Sequence, residues 1–311
     1  MTLTERVKRK ALDLGFQAAG ISRVTSDRPE AARLAEWLAR SYHGEMGWMA
    51  QTAAKRKNPA LLLPGIRAIV SLGMNYYTDD RPDDAPGHGR IARYARGKDY
   101  HRVLGERLES LAAFLKTEAP DSRSLAYVDT GAVMEKAWAQ RAGLGWIGKH
   151  SNLVSGQHGS WLLLGEVLTT ADLSPDEPGT DLCGTCTLCI RTCPTGAITE
   201  PYVVDARRCL SYLTIEQKGE IPAEFQPALG NYIFGCDDCL DVCPYNHQAT
   251  PTPEPAFRAT PLTLNPDLDA LGRQSLEEFQ AAFQGSPVRR ATHAGLQRNA
   301  AIAAKNSRGA S

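Results

Sequence analysis

All eight cysteines of this 311-residue chain fall between Asp181 and Asn246. Cys183, Cys186, Cys189 and Cys193, the last followed by Pro194, are spaced C-x2-C-x2-C-x3-C-P, a run at which thiolates wrap a [4Fe–4S] cubane. Cys236, Cys239 and Cys243, again with a proline after the last, form a second group, and Cys209 lies between the two. Eight thiolates are what two cubanes consume. Three closely spaced cysteines can surround one cluster while the fourth points away, and in two-cluster proteins that fourth thiolate ligates the other cluster. The spacing assigns Cys183, Cys186, Cys189 and Cys243 to one cluster, and Cys193, Cys209, Cys236 and Cys239 to the second. Structural zinc favours two C-x2-C pairs and disulfides favour small secreted chains, so both fit this pattern less well.

Outside the cysteines, Ser124 to Asp129 reads as a strand ending on a carboxylate, and Thr130-Gly131 turns the chain into a helix from Val133 to Arg141. An acid at that junction can face a ligand or cap the helix. The loop Gly143 to Asn152 carries glycines at 143, 145 and 148, which let backbone approach a large ligand. It matches neither the P-loop nor the dinucleotide fingerprint. Lys55, Arg56 and Lys57 form a basic triplet ahead of a strand. Between Arg90 and Lys116, seven Lys or Arg stand against three acidic residues, with Tyr94, Tyr100 and His101 interleaved. That suits either a solvated helix face or stacking and phosphate contact with RNA. A second basic stretch, Ser286 to Ser311, has Arg289, Arg290, Arg298, Lys305 and Arg308 and no acid. Leu296, Ala300, Ile302 and Ala303 there suggest a helix that packs on one side.

These groups need scaffolding. Thr2 and Glu5 spell a capping box for a first helix with Val7, Ala11 and Leu14 as its stripe and Gly15 as its stop. Phe16 to Ser22, Arg67 to Tyr77 and Trp161 to Thr169 read as strands, and Pro29 to Ser41 and Ser275 to Phe283 as helices. The length predicts more than one domain, here 1–175, a cysteine domain at 176–250, and a proline-rich connector with basic helices at 251–311. Lys plus Arg and Asp plus Glu are both 35, so any polyanion site is a local patch. No apolar run is long enough for a bilayer, and the polar N-terminus is not a signal sequence. With oxygen-sensitive clusters, this predicts a cytoplasmic protein without membrane contact.

Jointly, Lys55 to Gly65, "RIARYARGKDYH" from Arg90, "YVDTGAVMEKAWAQRAGLGWIGKHSNLVS" from Tyr127, the paired cysteine motifs and "GSPVRRATHAGLQRN" from Gly285 resemble the epoxyqueuosine reductases, cobalamin-dependent iron–sulfur enzymes. The resemblance spans nearly the whole chain. It implies an α+β fold, with a corrinoid-binding domain like that of reductive dehalogenases, a ferredoxin-like domain holding two [4Fe–4S] clusters, and C-terminal helices. The implied reaction converts the epoxide of the modified nucleoside at the tRNA wobble position to the cyclopentene of queuosine, the last step of its biosynthesis, with loss of water. Low-potential clusters would bring a cobalt corrin to Co(I). By the resemblance Asp129 is the proton donor, which requires burial to lift it from its ordinary pKa of about 3.9.

The resemblance implies a base-off cobalamin in contact with Arg56, Tyr94, Asp129, Leu153 and Ser211, with Asp237 and Asp238 close by, and because no D-x-H-x-x-G cobalt-ligand motif is present no protein histidine is expected on the cobalt. Lys149, Ser151 and Asn152 are second choices. Arg289, Arg290 and Arg298 are the tRNA candidates, with Arg93 and Lys98 behind them. A flavodoxin or ferredoxin system is the implied electron donor, and a monomer the expected state. Longer family members carry a further helical-repeat domain after the "GLQRN" segment. Competing readings are an iron–sulfur electron-transfer protein, a dehalogenase-like corrinoid reductase of small molecules, and an RNA-binding module with structural clusters.

Overall fold

The computed structural model describes residues 1–25, 28–83 and 85–309. Helix α1 (Leu3–Asp13) begins at the expected capping box, with Thr2 Oγ1 accepting from Glu5 N at 3.2 Å and Glu5 Oε2 accepting from Thr2 N at 2.8 Å. Gly15, at φ 89°, takes the left-handed turn that ends it. Strands β1 (Ala18–Arg23) and β2 (Ala68–Asn75), helix α2 (Tyr100–Glu118), strand β3 (Ser124–Tyr127), helix α3 (Glu135–Arg141) and strand β4 (Leu162–Thr169) follow. The strands make one antiparallel sheet in the order β1-β2-β4-β3.

Every residue of β2 is buried, because both faces of the sheet are covered. Val70, Leu72, Met74, Leu163 and Val167 meet Val7 and Ala11 of α1 and Leu104, Leu108, Leu111 and Leu115 of α2. Ile69 and Leu168, on the opposite face, meet Val133 and Trp138 of the α3 region. Each such aliphatic side chain contributes about 1.5–3 kcal/mol on burial. The helix expected from Val133 begins at Glu135, and the strand expected to reach Asp129 stops at Tyr127. Asp129 therefore stands in the turn between them.

In the cysteine region, short helices α4 (Leu188–Thr192), α5 (Leu210–Ile215) and α6 (Asp238–Asp241) alternate with loops, and strand β5 (Tyr232–Phe234) pairs in parallel with Arg90–Ile91. The chain ends in helix α7 (Thr292–Gly309). The connector is more structured than its prolines suggest, holding helical turns at Pro261–Leu264, Leu268–Arg273 and Leu276–Ala282. The three sequence segments share cores. Leu240 and Phe257 pack into the sheet's core, and Ile91 and Ala95 pack with Phe234, Phe283, Leu296 and Ala300.

Candidate active site

Asp129 has a φ of 53°, a left-handed conformation that costs a non-glycine residue about 1–2 kcal/mol. Its Oδ2 accepts a hydrogen bond from Tyr100 OH at 2.7 Å and lies 3.3 Å from His101 Nε2. The other ring nitrogen, Nδ1, is 2.7 Å from Asp99 Oδ1, and the same oxygen accepts from His101 N at 3.0 Å as the cap of α2. Burial disfavours the imidazolium, but the Asp129 carboxylate close to Nε2 and the hydrogen-bonded Asp99 outweigh it and raise the His101 pKa to about 9. The crowded surroundings push Asp129 up, yet hydrogen bonds from His101 and Tyr100 prevail and hold its pKa below the ordinary value. Burial against a corrin face was the expected means of raising Asp129, and the protein's own surroundings act the other way. The side chain is 64% exposed, and an imidazolium beside it stabilises the carboxylate. At neutral pH the proton resides on His101.

Asp129 opens into a cleft of about 290 Å³. Its lining combines Leu153, Leu162, Leu163, Leu164 and Leu240 with Tyr76, Tyr94, Tyr100, Ser211, Cys236 and Asp237, and Glu135, Lys136, Asn152 and Ser160 complete it. Burial followed by the charge of Asp129 raises the Glu135 pKa to about 7, while burial lowers that of Lys136. Of the residues expected at a corrin, Tyr94, Asp129, Leu153, Ser211, Asp237 and Asn152 share this lining.

Others do not. Arg56 is 7% exposed and outside the cleft lining, donating to Val133 O at 2.8 Å, Gly131 O at 3.1 Å and Thr52 Oγ1 at 3.0 Å. It braces the turn that presents Asp129. Asp238 accepts from Tyr232 OH at 2.8 Å outside the cleft lining. Lys149 is also structural, its Nζ donating to Gly184 O at 2.6 Å and Cys186 O at 2.9 Å, and Ser151 Oγ donates to Tyr202 O at 2.8 Å. The glycines of the 143–152 loop are required by the chain's own packing. A Cβ on Gly145 would lie 2.0 Å from Val154 O, and one on Gly179 1.8 Å from Gly145 O.

The eight thiols occur in two neighbourhoods. Cys189 feels the charges of Cys183, Cys186 and Cys243, and Cys243 those of Cys183 and Cys186. Cys236 feels Cys239 and Cys209, and Cys239 feels Cys209 and Cys193 most strongly among thiols, with Cys189 more weakly. Two cubanes side by side fit these neighbourhoods. Donors already aim at the sulfurs, Trp146 Nε1 at Cys183 Sγ (3.4 Å) and Ala197 N at Cys193 Sγ (3.2 Å). Cys236 brings the second neighbourhood to the cleft. A lining of leucines and tyrosines with a few convergent polar groups, Cys236 among them, is of the kind that receives part of a cofactor.

Among the basic candidates, Arg298 is corrected. It is spent on the protein, donating to Leu213 O and Gln217 O at 2.8 Å each and to Gly219 O. Arg93 is held by Asp241 at 2.5 Å and lies 4.9 Å from the Trp161 ring centroid, so it too is structural. Arg290 forks onto Glu216 at 3.0 and 2.8 Å but remains 59% exposed, close enough to feel the charge of Asp129. Arg289 and Lys98 are exposed. Sequence reasoning missed His101, Asp99, Glu135 and Lys136 as site residues. The signals were present in Asp99-Tyr100-His101 at a helix start and Glu135-Lys136 six residues after Asp129.

Residues 182–246 match the family model described as a 4Fe-4S double cluster binding domain, and residues 56–130 match that described as Epoxyqueuosine reductase QueG, DUF1730. The chain is 46% identical over 278 residues to an epoxyqueuosine reductase of Synechocystis sp., covering 89% of this chain and 96% of that protein. It is 41% identical over 308 residues to the Escherichia coli protein of that name, covering 98% and 81%. Among solved structures it is similar to an epoxyqueuosine reductase with a tRNA-Tyr epoxyqueuosine-modified stem loop, with a TM-score of 0.92 at 33% identity and coverage of 98% and 81%. It is also similar to the Bacillus subtilis enzyme with its catalytic loop swung out of the active site, with a TM-score of 0.91 at 32% identity and coverage of 99% and 82%.

Proposed function

Because the chain belongs to the epoxyqueuosine reductase family, we propose that its cleft reduces the epoxide of epoxyqueuosine in a tRNA anticodon loop to the alkene of queuosine. The observation that carries this reading is the Asp99–His101–Asp129–Tyr100 network on a cleft whose lining includes Cys236. A proton source and an electron-relay ligand thereby share one cavity. Two clusters and a cobalamin, when bound, would supply the low-potential electrons. Cys183, Cys186, Cys189 and Cys243 would hold one cluster and Cys193, Cys209, Cys236 and Cys239 the other, with Tyr94, Leu153, Ser211 and Asp237 beside the corrin.

The epoxide oxygen must take up a proton as its bond to carbon breaks. His101 stores that proton on Nε2, and Asp129 Oδ2, 3.3 Å away and open to the cleft, is the relay to the substrate. Tyr100 and Asp99 fix the two partners in register, so little reorganisation is needed during transfer. The nucleotide enters from an unpaired loop, where extrusion from the stack is cheap. Arg290, exposed and within reach of the charge of Asp129, and the exposed Arg289 would contact its phosphates. The protein works in the cytoplasm as a monomer, with a flavodoxin or ferredoxin system as donor. Among the described residues no helix is long and apolar enough to cross a membrane.

Anaerobic reconstitution with iron, sulfide and cobalamin, followed by nucleoside mass spectrometry of epoxyqueuosine-containing tRNA, tests this. Near eight irons and one cobalt per chain with queuosine formed is the expected result. Iron uptake without cobalt or queuosine would leave an electron carrier. Asp129→Asn is expected to retain metal and cofactor but lose turnover.

A further inference from the structure

The overall reduction needs more than one proton. Both epoxide C–O bonds break, a C=C bond forms, and the oxygen leaves as water, so two electrons and two protons enter per turnover. The electrons come from the low-potential iron–sulfur donor, and the His101–Asp129 pair accounts for the first proton. Nothing described so far supplies the second.

A pair of carboxyl groups lies on the same side of the sheet. Glu135 lines the cleft together with Asp129, and its Oε1 is buried without a hydrogen-bond partner among the described residues. Behind it, Glu166 stands in the middle of β4, 0% exposed, and neither of its oxygens makes a hydrogen bond of ordinary geometry. Across the ladder its neighbours are Ser71 on β2 and Tyr127 on β3. The Ser71 hydroxyl bears on Glu166, but with neither oxygen in a hydrogen bond of ordinary geometry a buried carboxylate is strongly disfavoured, whereas a neutral carboxylic acid is tolerated. No counter-charge of β2 or β3 faces Glu166, and the nearest charge from α3 is Glu135 itself. Glu135 in turn faces Asp129 from the turn, Arg56 from the short helix Ala53–Lys57, and Lys136 from its own helix.

We propose that Glu135 is the second proton donor to the cleft and that Glu166 is a positioning residue, holding a reserve proton behind it. This rests on the reduction proposed above. In the step, the carboxylic acid of Glu135 gives its proton to the leaving hydroxide equivalent, which departs as water. Glu135 becomes a carboxylate, and it is reloaded from Glu166 or from the cleft. Burial of both groups and the charge of Asp129 on Glu135 set its acidity near neutrality.

The test uses the reconstituted protein and its Glu135→Gln and Glu166→Gln variants. Infrared difference titration should show one protonated-carboxyl band lost near pH 7 and absent in Glu135→Gln, with another persisting at higher pH and absent in Glu166→Gln. Queuosine formation by the parent protein should fall as pH rises through about 7. Glu135→Gln should be slower by roughly a hundredfold, as removal of a general acid usually is, and should lose that descending limb while keeping iron content and tRNA affinity. Glu166→Gln should move the limb and leave iron content unchanged. A Glu135→Gln variant with the full rate and an unchanged pH profile overturns the proposal, as does an infrared titration in which neither variant removes a band. If the parent protein forms no queuosine at any pH, the reduction itself fails, and the infrared titration still reports whether the carboxyl pair holds its protons.

Discussion

At the scale of single residues, function rests on charges held where solvent alone would not put them. His101 is flanked by two carboxylates, and its folded pKa of about 9 exceeds the ordinary 6.5. Its contribution to stability is therefore fully present below about 6.5 and is lost as pH rises through about 9. His101→Gln should remove that alkaline decline in thermal midpoint, and it should also lower turnover by roughly 10²–10⁴-fold. Glu166 works in the same sense. The folded state keeps a proton that the unfolded chain releases above about 4.5, so stability falls with rising pH from there toward the folded pKa. Thermal melts from pH 5 to 8 should show a flatter slope for Glu166→Gln than for the parent. The cysteine chemistry was legible in the sequence because ligand spacing along the chain is itself the signal. The state of Asp129 was not, because it depends on His101, whose approach from a different helix no local pattern records.

At the scale of elements, strands and caps followed the sequence where side-chain period or cap chemistry decides them, as in the Thr2–Glu5 box and the buried β2. The glycine loop misled because close approach of backbone to a ligand and to the chain's own carbonyls demand the same residue. The C-terminal arginines misled similarly. Arg298 and the fully buried Asn299 act as clamps, Asn299 Nδ2 donating to Thr214 O and Ile233 O at 2.8 Å each. Asn299→Ala leaves both carbonyls unpaired and should destabilise the protein by about 2–3 kcal/mol, measurable by denaturant unfolding. Arg290→Ala and Arg289→Ala should instead leave unfolding unchanged and weaken tRNA-stem-loop binding, with a shallower salt dependence in a filter or fluorescence titration.

For the whole molecule, the three segments set out from the sequence share their cores. Leu240 and Phe257 belong to the core of the four-stranded sheet, and β5 pairs with Arg90–Ile91. Such sharing predicts a single unfolding transition in which iron loss lowers the midpoint for the entire chain. Calorimetry of iron-loaded and chelated protein should show one peak moving, and two separately melting peaks would mean that the halves are independent. Contacts of this kind are between residues far apart in the chain, which is why period and motif could not reveal them.

The clamp formed by Arg298 and Asn299 has a consequence for mutational tolerance. Arg298 grips main-chain oxygens of residues 217 and 219 rather than their side chains, so it cannot sense which amino acids stand there. In a saturation library scored for folded protein, Arg298 and Asn299 should accept almost no replacement, while Gln217 and Gly219 accept many. The "GLQRN" segment would then be a signature of how the chain closes on itself, and substrate preference could drift around it without disturbing the lock.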